Sequence, residues 1–166
     1  MIDPRHTLPL SGRFWRSAFS GQEDTLLAPA QSPNGRWHQD GQKALYLSET
    51  PEGCRVALRV YVKDGDPARK IYPIQITHAR LVDLRDPKVR EAFDTRLSDL
   101  HVFWSDLMAS GDPVPTWNLS DRLRKIGADG ILTPSRSRPD LTHLTLFRWN
   151  IAGGPTVQQL GDPLTF

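Results

Sequence analysis

Apolar and polar positions alternate in short stretches along this chain, with no internal repeat. Residues 12–19 set Phe14, Trp15 and Phe19 beside Arg13 and Arg16 and predict an early strand. Residues 44–48, Ala-Leu-Tyr-Leu-Ser, predict a second strand with a tyrosine at its centre. Thr50-Pro51 then opens a helix, because threonine suits the N-cap and proline the first helical position. Cys54, Ala57, Leu58 and Tyr61 share one face of it at helical spacing, and Asp64-Gly65-Asp66-Pro67 ends it. Ile71, Ile74 and Ile76 predict a strand interrupted by Pro73, which suggests an edge or a bulge. Residues 80–84 predict a separate strand, and Asp86-Pro87 starts a short helix. Residues 98–108 read as one helix anchored by Phe103, Trp104 and Leu107. Residues 118–126 predict a helix with Leu119, Leu123 and Ile126 inward, closed by Gly127. A short strand at 130–133, a turn at 133–136 and the longest strand-like run at 141–149 follow.

Strands and helices mix here without regular alternation. The expected fold class is therefore α+β: a single compact domain with mixed or antiparallel sheets and peripheral helices. The length of 166 residues suits one domain over 1–166. Its core is expected over about 12–150, between a loosely held arm at 1–9 and a flexible tail that begins at Gly153-Gly154-Pro155. Residues 20–35 form a long loop with a small apolar patch, Leu26-Leu27-Ala28, and loops of this length are often functional.

Composition changes this picture only a little. A mean hydropathy of -0.46 is low, yet 14 prolines, 12 glycines and 5 tryptophans indicate a loop-rich globule rather than disorder. The 21 basic and 19 acidic residues are interspersed, so the net charge of +2 gives weak support for nucleic-acid binding. The single cysteine, Cys54, is expected to be a buried thiol rather than a nucleophile, and a reducing compartment suits it. No apolar run reaches the length of a membrane span, and the first ten residues lack a signal-like core, so the expected location is the cytoplasm. His78, His101 and His143 are scattered without metal-like spacing, and no metal site is expected.

The chemistry concentrates in Asn34-Gly35-Arg36-Trp37-His38 and in the strand around Tyr46. A guanidinium offers a planar fork of donors suited to phosphate. A tyrosine offers a stacking face with a polar tip. Together they are parts for holding a dinucleotide without a glycine-rich fingerprint; the same residues also suit a surface turn feeding a core strand. Arg16 is a candidate for a second phosphate contact. His38 is a spare histidine beside the motif, and Arg136, Arg138 and Arg148 form a modest cationic group that suits either solvent or an acidic partner.

These landmarks resemble the RES domain, named for an arginine, a glutamate and a serine. The resemblance runs from about residue 12 to 150. Its arginine matches Arg36 in Gly35-Arg36-Trp37, its aromatic strand Ala44-Leu45-Tyr46-Leu47-Ser48, and its serine Ser135 in Ile131-Leu132-Thr133-Pro134-Ser135-Arg136. Trp117, Asn118 and Ser120, before Gly127-Ala128-Asp129-Gly130, fit the family's late helix. The resemblance implies a fold similar to ADP-ribosyltransferases of the diphtheria-toxin type. It also implies a bacterial toxin paired with an Xre-like helix-turn-helix antitoxin. The implied substrate is NAD, cleaved at the nicotinamide–ribose bond by hydrolysis or phosphorolysis, or used to transfer ADP-ribose to a protein acceptor. In that frame Arg36 pairs with the pyrophosphate or the adjoining ribose, Tyr46 stacks on the nicotinamide, and Ser135 hydrogen-bonds the ribose or the amide.

The glutamate departs from the pattern. Many members carry it in the helix, more than ten residues past the tyrosine, where this chain shows Arg55 and Arg59. Glu52, in the first helical turn, is the candidate for stabilising an oxocarbenium ion, and Glu49 is the alternative. A glutamate in a first turn is favoured by the helix dipole in any case. Two further readings stand beside the enzyme: a nucleic-acid-binding module using the arginines and tryptophans, and a scaffold with an inactive site.

Overall fold

The computed structural model describes residues 3–166. Its seven strands are β1 (Thr7–Phe19), β2 (Leu45–Ser48), β3 (Arg69–Asp83), β4 (Gly130–Pro134), β5 (Thr142–Leu146), β6 (Thr156–Gln159) and β7 (Leu164–Thr165). They form one mixed sheet in the order β1-β2-β5-β4-β3-β6, with β7 also on β3. Only β3 and β4 run parallel. Because β1 pairs with β3 as well as with β2, the first five strands close into a ring. Five helices lie around it: α1 (Pro51–Leu58), α2 (Pro87–Ala92), α3 (Leu97–Leu100), α4 (Trp104–Ser110) and α5 (Pro115–Lys125). The α+β class is as the sequence indicates.

Alternation along the strands divides the sheet into two faces. Phe14, Leu45, Leu47, Ile74, Leu144 and Leu146 point into the ring and form the larger core. Val82, Ile131 and Phe147 point outward, where Leu100 of α3 and Leu119 and Leu123 of α5 cover them.

The strands expected at 71–76 and 80–84 are one strand. His78, at φ 59°, shifts the phase of the alternation, so that Ile74 and Ile76 before it and Ala79 and Leu81 after it all reach the same core. The β1 partner slips register between Leu10 and Gly12 to match, and Ser11 Oγ accepts the His78 N–H at 2.9 Å. Pro73 is tolerated in this central strand for a local reason. Its carbonyl accepts from Leu160 N, so its nitrogen faces the same side, where β6 and β7 leave a gap opposite it. Both ends of the chain also join the sheet. Thr7–Pro9 pair with Val82–Arg80, and the tail supplies β6 and β7; Met1 and Ile2 lie outside the described residues.

The expected helix over 98–108 is broken into α3 and α4. Arg36 Nη1 enters the break and donates to the carbonyls of Leu100 at 3.0 Å and Val102 at 2.7 Å, which a continuous helix would have consumed internally. The first helix stops at Leu58 rather than Tyr61, with Thr50 Oγ1 capping it through Gly53 N as anticipated. The long run at 141–149 yields only β5, because Phe147 N bonds Asp129 O and Asn150 turns at φ 52°. The late helix starts earlier than expected, at Pro115.

Candidate functional site

One end of the outer sheet face is polar. Cross-strand register lines up Ser48 of β2, His143 of β5 and Thr133 of β4 in one row, and Tyr46, Thr145 and Ile131 in the next. Helices cover part of this end: Tyr46 and Ile131 pack against the cluster that holds Leu100 of α3 and Leu119 and Leu123 of α5. The Gly35–His38 turn meets the same end, bonding the Tyr46 hydroxyl through Trp37 and His38 and reaching the α3–α4 break through Arg36.

The turn is held from α5. Trp117, Asp121 and Arg124 recur at helical spacing on one face of that helix. Trp117 Nε1 donates to Gly35 O at 2.7 Å, Arg124 donates to Trp37 O and Lys43 O at 2.9 Å each, and Asp121 accepts from the side-chain amides of Gln39 and Gln42. Gly35 is required sterically: a Cβ there would strike the His38 ring and lie 2.8 Å from the Tyr46 hydroxyl.

His38 Nε2 faces the carbonyl of Ser32 at 2.8 Å and so carries the ring proton. Its Nδ1 is then an acceptor, and Tyr46 Oη donates to it at 2.7 Å while accepting from Trp37 N at 3.0 Å. The buried His38 is thus part of the scaffold. Burial pushes the Tyr46 phenol well above its ordinary pKa. Its polar tip is engaged by the turn, and only its half-buried ring remains for a ligand.

Arg36 is also half-buried, and burial lowers its guanidinium pKa from the ordinary value. Nη1 is held by the α3–α4 break, while Nε and Nη2 make no hydrogen bond among the described residues. Arg136 stacks over the Phe103 ring at 4.4 Å in the same region, and its charge opposes that of Arg36. Ser135 is 2% exposed and follows Pro134, the last residue of β4. The Ser135 hydroxyl has no hydrogen-bond partner among the described residues.

His143 is the residue that sequence reasoning passed over. Its Nδ1 lies 2.9 Å from Ser48 Oγ. Burial, reinforced by the Arg36 charge, holds its pKa down at about 4, so the imidazole is neutral near pH 7. Beyond Ser48 lies the buried Cys54 of α1, whose thiol pKa burial pushes up to about 11. The signal for His143 is long-range: only strand register brings it opposite Ser48, 95 residues earlier.

Two sequence candidates lie apart from this row. Glu52 is half-exposed in the first turn of α1, with Arg55 and Arg138 each 3.9 Å from its carboxylate. Arg138 belongs to the segment after Ser135, so this contact links Glu52 to that turn. Glu49 is exposed, and its backbone N–H bonds Thr142 O. The charges acting on Arg36, His101 and His143 come from arginines and tyrosines, with no carboxylate among them. Arg16 projects from the inner face, and its Nη1 donates to Tyr46 O at 2.8 Å. The cationic group of three does not assemble: Arg148 forms a 2.6 Å pair with the buried Asp129, and Arg138 pairs with Asp140.

This architecture is shared with a chain from the crystal structure of the M. tuberculosis MbcT–MbcA toxin–antitoxin complex, at a TM-score of 0.64. The two are 16% identical over 94% of this chain and 87% of that one. No curated protein sequence matches this one significantly. The RES domain model matches residues 11–166, and the chain belongs to the RES domain family.

Proposed function

We propose that this protein is the toxin of a bacterial toxin–antitoxin pair and that it consumes NAD by cleaving the bond between nicotinamide and ribose. The observation that carries this reading is the meeting of Arg36, Tyr46 and the Ser135 turn at one end of the outer sheet face, in a chain of the RES family. Arg36 meets the pyrophosphate or the adjoining ribose through Nε and Nη2, since Nη1 is already held. The Tyr46 ring stacks on the nicotinamide, and the Ser135 hydroxyl bonds the ribose or the amide.

Cleavage builds positive charge on the ribose, as in glycoside chemistry. Glu52, linked to the Ser135 segment through Arg138, answers that charge. His143 acts as a positioning residue. With Nδ1 engaged by Ser48 Oγ, Nε2 is the nitrogen left to meet a ribose hydroxyl or the attacking water. Water or phosphate is the preferred acceptor of the ADP-ribosyl group, since transfer to a protein side chain requires a second protein site.

A toxin of this kind works in the cytoplasm and needs an inhibitor. The similarity to a chain of a toxin–antitoxin complex supports an antitoxin here; the family resemblance suggests the Xre-like helix-turn-helix type, and the proposed site suggests that it covers the Arg36 and Ser135 region. The test is incubation of the purified chain with NAD, following free nicotinamide, beside expression without a partner. Nicotinamide release, growth arrest and a fall in cellular NAD are expected. Normal growth at high soluble expression, with no nicotinamide released, would overturn the proposal.

A further inference from the structure

A small cleft lies at the C-terminal end of β1, away from the Arg36 and Ser135 region. It encloses about 130 Å³ beneath the loop at 22–31 and is lined by Arg16, Ser17, Phe19, Gln22, Gln31 and Arg69 among others. Its size is well below the ~300–1,000 Å³ of pockets for whole small molecules, so it suits a single compact group. Its lining contains two guanidinium groups and no acidic residue.

Three of the lining residues have a solvent-excluded polar atom without a hydrogen-bond partner among the described residues: Arg16 Nε, Ser17 Oγ and Arg69 Nε. These are half of the six such atoms in the described chain, gathered in one place. Buried donors are ordinarily satisfied, and a buried charge is ordinarily paired. Arg69 has a distant counter-charge in Asp66 at 3.8 Å and lies over the Phe19 ring at 3.9 Å. Among the described residues Arg16 has no carboxylate partner, and its one hydrogen bond goes to the neutral carbonyl of Tyr46. Burial accordingly lowers the Arg16 guanidinium pKa, and the groups that oppose this are the Cys54 thiol and the Tyr46 phenol rather than a carboxylate.

We infer that this cleft is an anion site that takes one phosphate-sized oxyanion between Arg16 and Arg69, with the Ser17 hydroxyl as a third donor. The chemistry is that of a phosphoryl group, which free phosphate or the phosphate of a nucleotide would supply. The inference stands on the cleft and does not require that NAD be cleaved. Through the Arg16–Tyr46 hydrogen bond, an anion held here also steadies the strand that carries the Tyr46 ring.

The test uses the full chain without NAD. Melting temperature and phosphorus NMR line widths are followed against inorganic phosphate, AMP and, as the control for ionic strength, chloride. A saturable rise in melting temperature with phosphate or AMP, and line broadening of the same anion, is expected. A response to phosphate alone assigns the site to the free ion; a response to AMP alone assigns it to a nucleotide phosphate. Arg69→Met and Ser17→Ala should each weaken the response, and Arg16→Met should weaken it at least tenfold. Arg16→Met also removes the Tyr46 carbonyl contact, so the Arg69 and Ser17 variants keep the test valid if it folds poorly. No response beyond chloride, or an undiminished response in Arg69→Met and Ser17→Ala, would overturn the inference, whether or not NAD is consumed.

Discussion

The two faces of one sheet are built by opposite rules. Along β2 and β5 the inward residues Leu45, Leu47, Leu144 and Leu146 are apolar and essentially sealed from water. The outward residues of the same strands are Tyr46, Ser48, His143 and Thr145. A strand buried on both sides ordinarily reads as a continuous apolar run. Here one side is apolar and the other is polar yet largely buried, with the Tyr46 hydroxyl, Ser48 Oγ and His143 Nδ1 each matched to a named partner. The inner face therefore supplies stability, and the outer face holds hydrogen-bonding groups in fixed orientation at that stability's expense. Among the groups on the outer face without a protein partner among the described residues are the free edge of Arg36, the Ser135 hydroxyl and His143 Nε2, the atoms that the proposed function assigns to substrate.

Substitutions on the two faces should separate accordingly. Leu144→Ala empties a site in the closed core and should destabilise the protein by roughly 2–5 kcal/mol, measured by denaturant unfolding. A loss under 1 kcal/mol would show that the ring is not tightly packed. Arg36→Lys keeps the charge but loses the planar fork, and NAD turnover should fall on the order of a hundredfold or more. Its melting temperature should move far less than that of Leu144→Ala; a large drop would mean that bracing the α3–α4 break is the main work of Arg36.

Glu52→Gln should lower the maximal rate by about a hundredfold while changing NAD affinity little, because the charge it answers exists mainly in the transition state. Glu49→Gln should be nearly silent. If Glu49 is essential and Glu52 dispensable, the catalytic role moves three residues back along the chain.

The smallest effect at neutral pH is expected for His143. Its folded pKa, about 4, lies below the ordinary 6.5. The unfolded chain thus binds more protons between those values, and the His143 contribution is complete above pH 6.5 and lost as pH falls towards 4. Across that window it amounts to at most roughly 3 kcal/mol. His143→Gln should flatten the stability-versus-pH curve there, measured by unfolding at several pH values. An unchanged slope would place the imidazole in contact with solvent.

The inner face was far more legible in the sequence than the outer one. Alternating Leu45, Leu47 and the helix cap at Thr50-Pro51 are local signals, and they indicated the strand and the helix that form. His78 defeated the same method, because one left-handed residue inverts the alternation and makes a single strand look like two. The break between α3 and α4 was equally hidden, since its cause is a guanidinium 64 residues away. Arg36 and Tyr46 stood out by residue type, and Ser135 by its resemblance to the family motif. His143 had no local mark, and its place opposite Ser48 exists only once β2 and β5 are in register.

Closing the ring also governs when the protein acquires its chemistry. Ser48 and His143 come from strands 95 residues apart, and β1 must reach across α1 to meet β3. Pairings this distant must overcome the entropy of large loops before they return any contact, which puts such topologies among the slower folders, on the order of milliseconds to seconds. The strand that completes the apolar ring is the one that brings the imidazole to its serine. A chain still on its way to the native state therefore lacks both a finished core and a finished outer face, and the two arrive together.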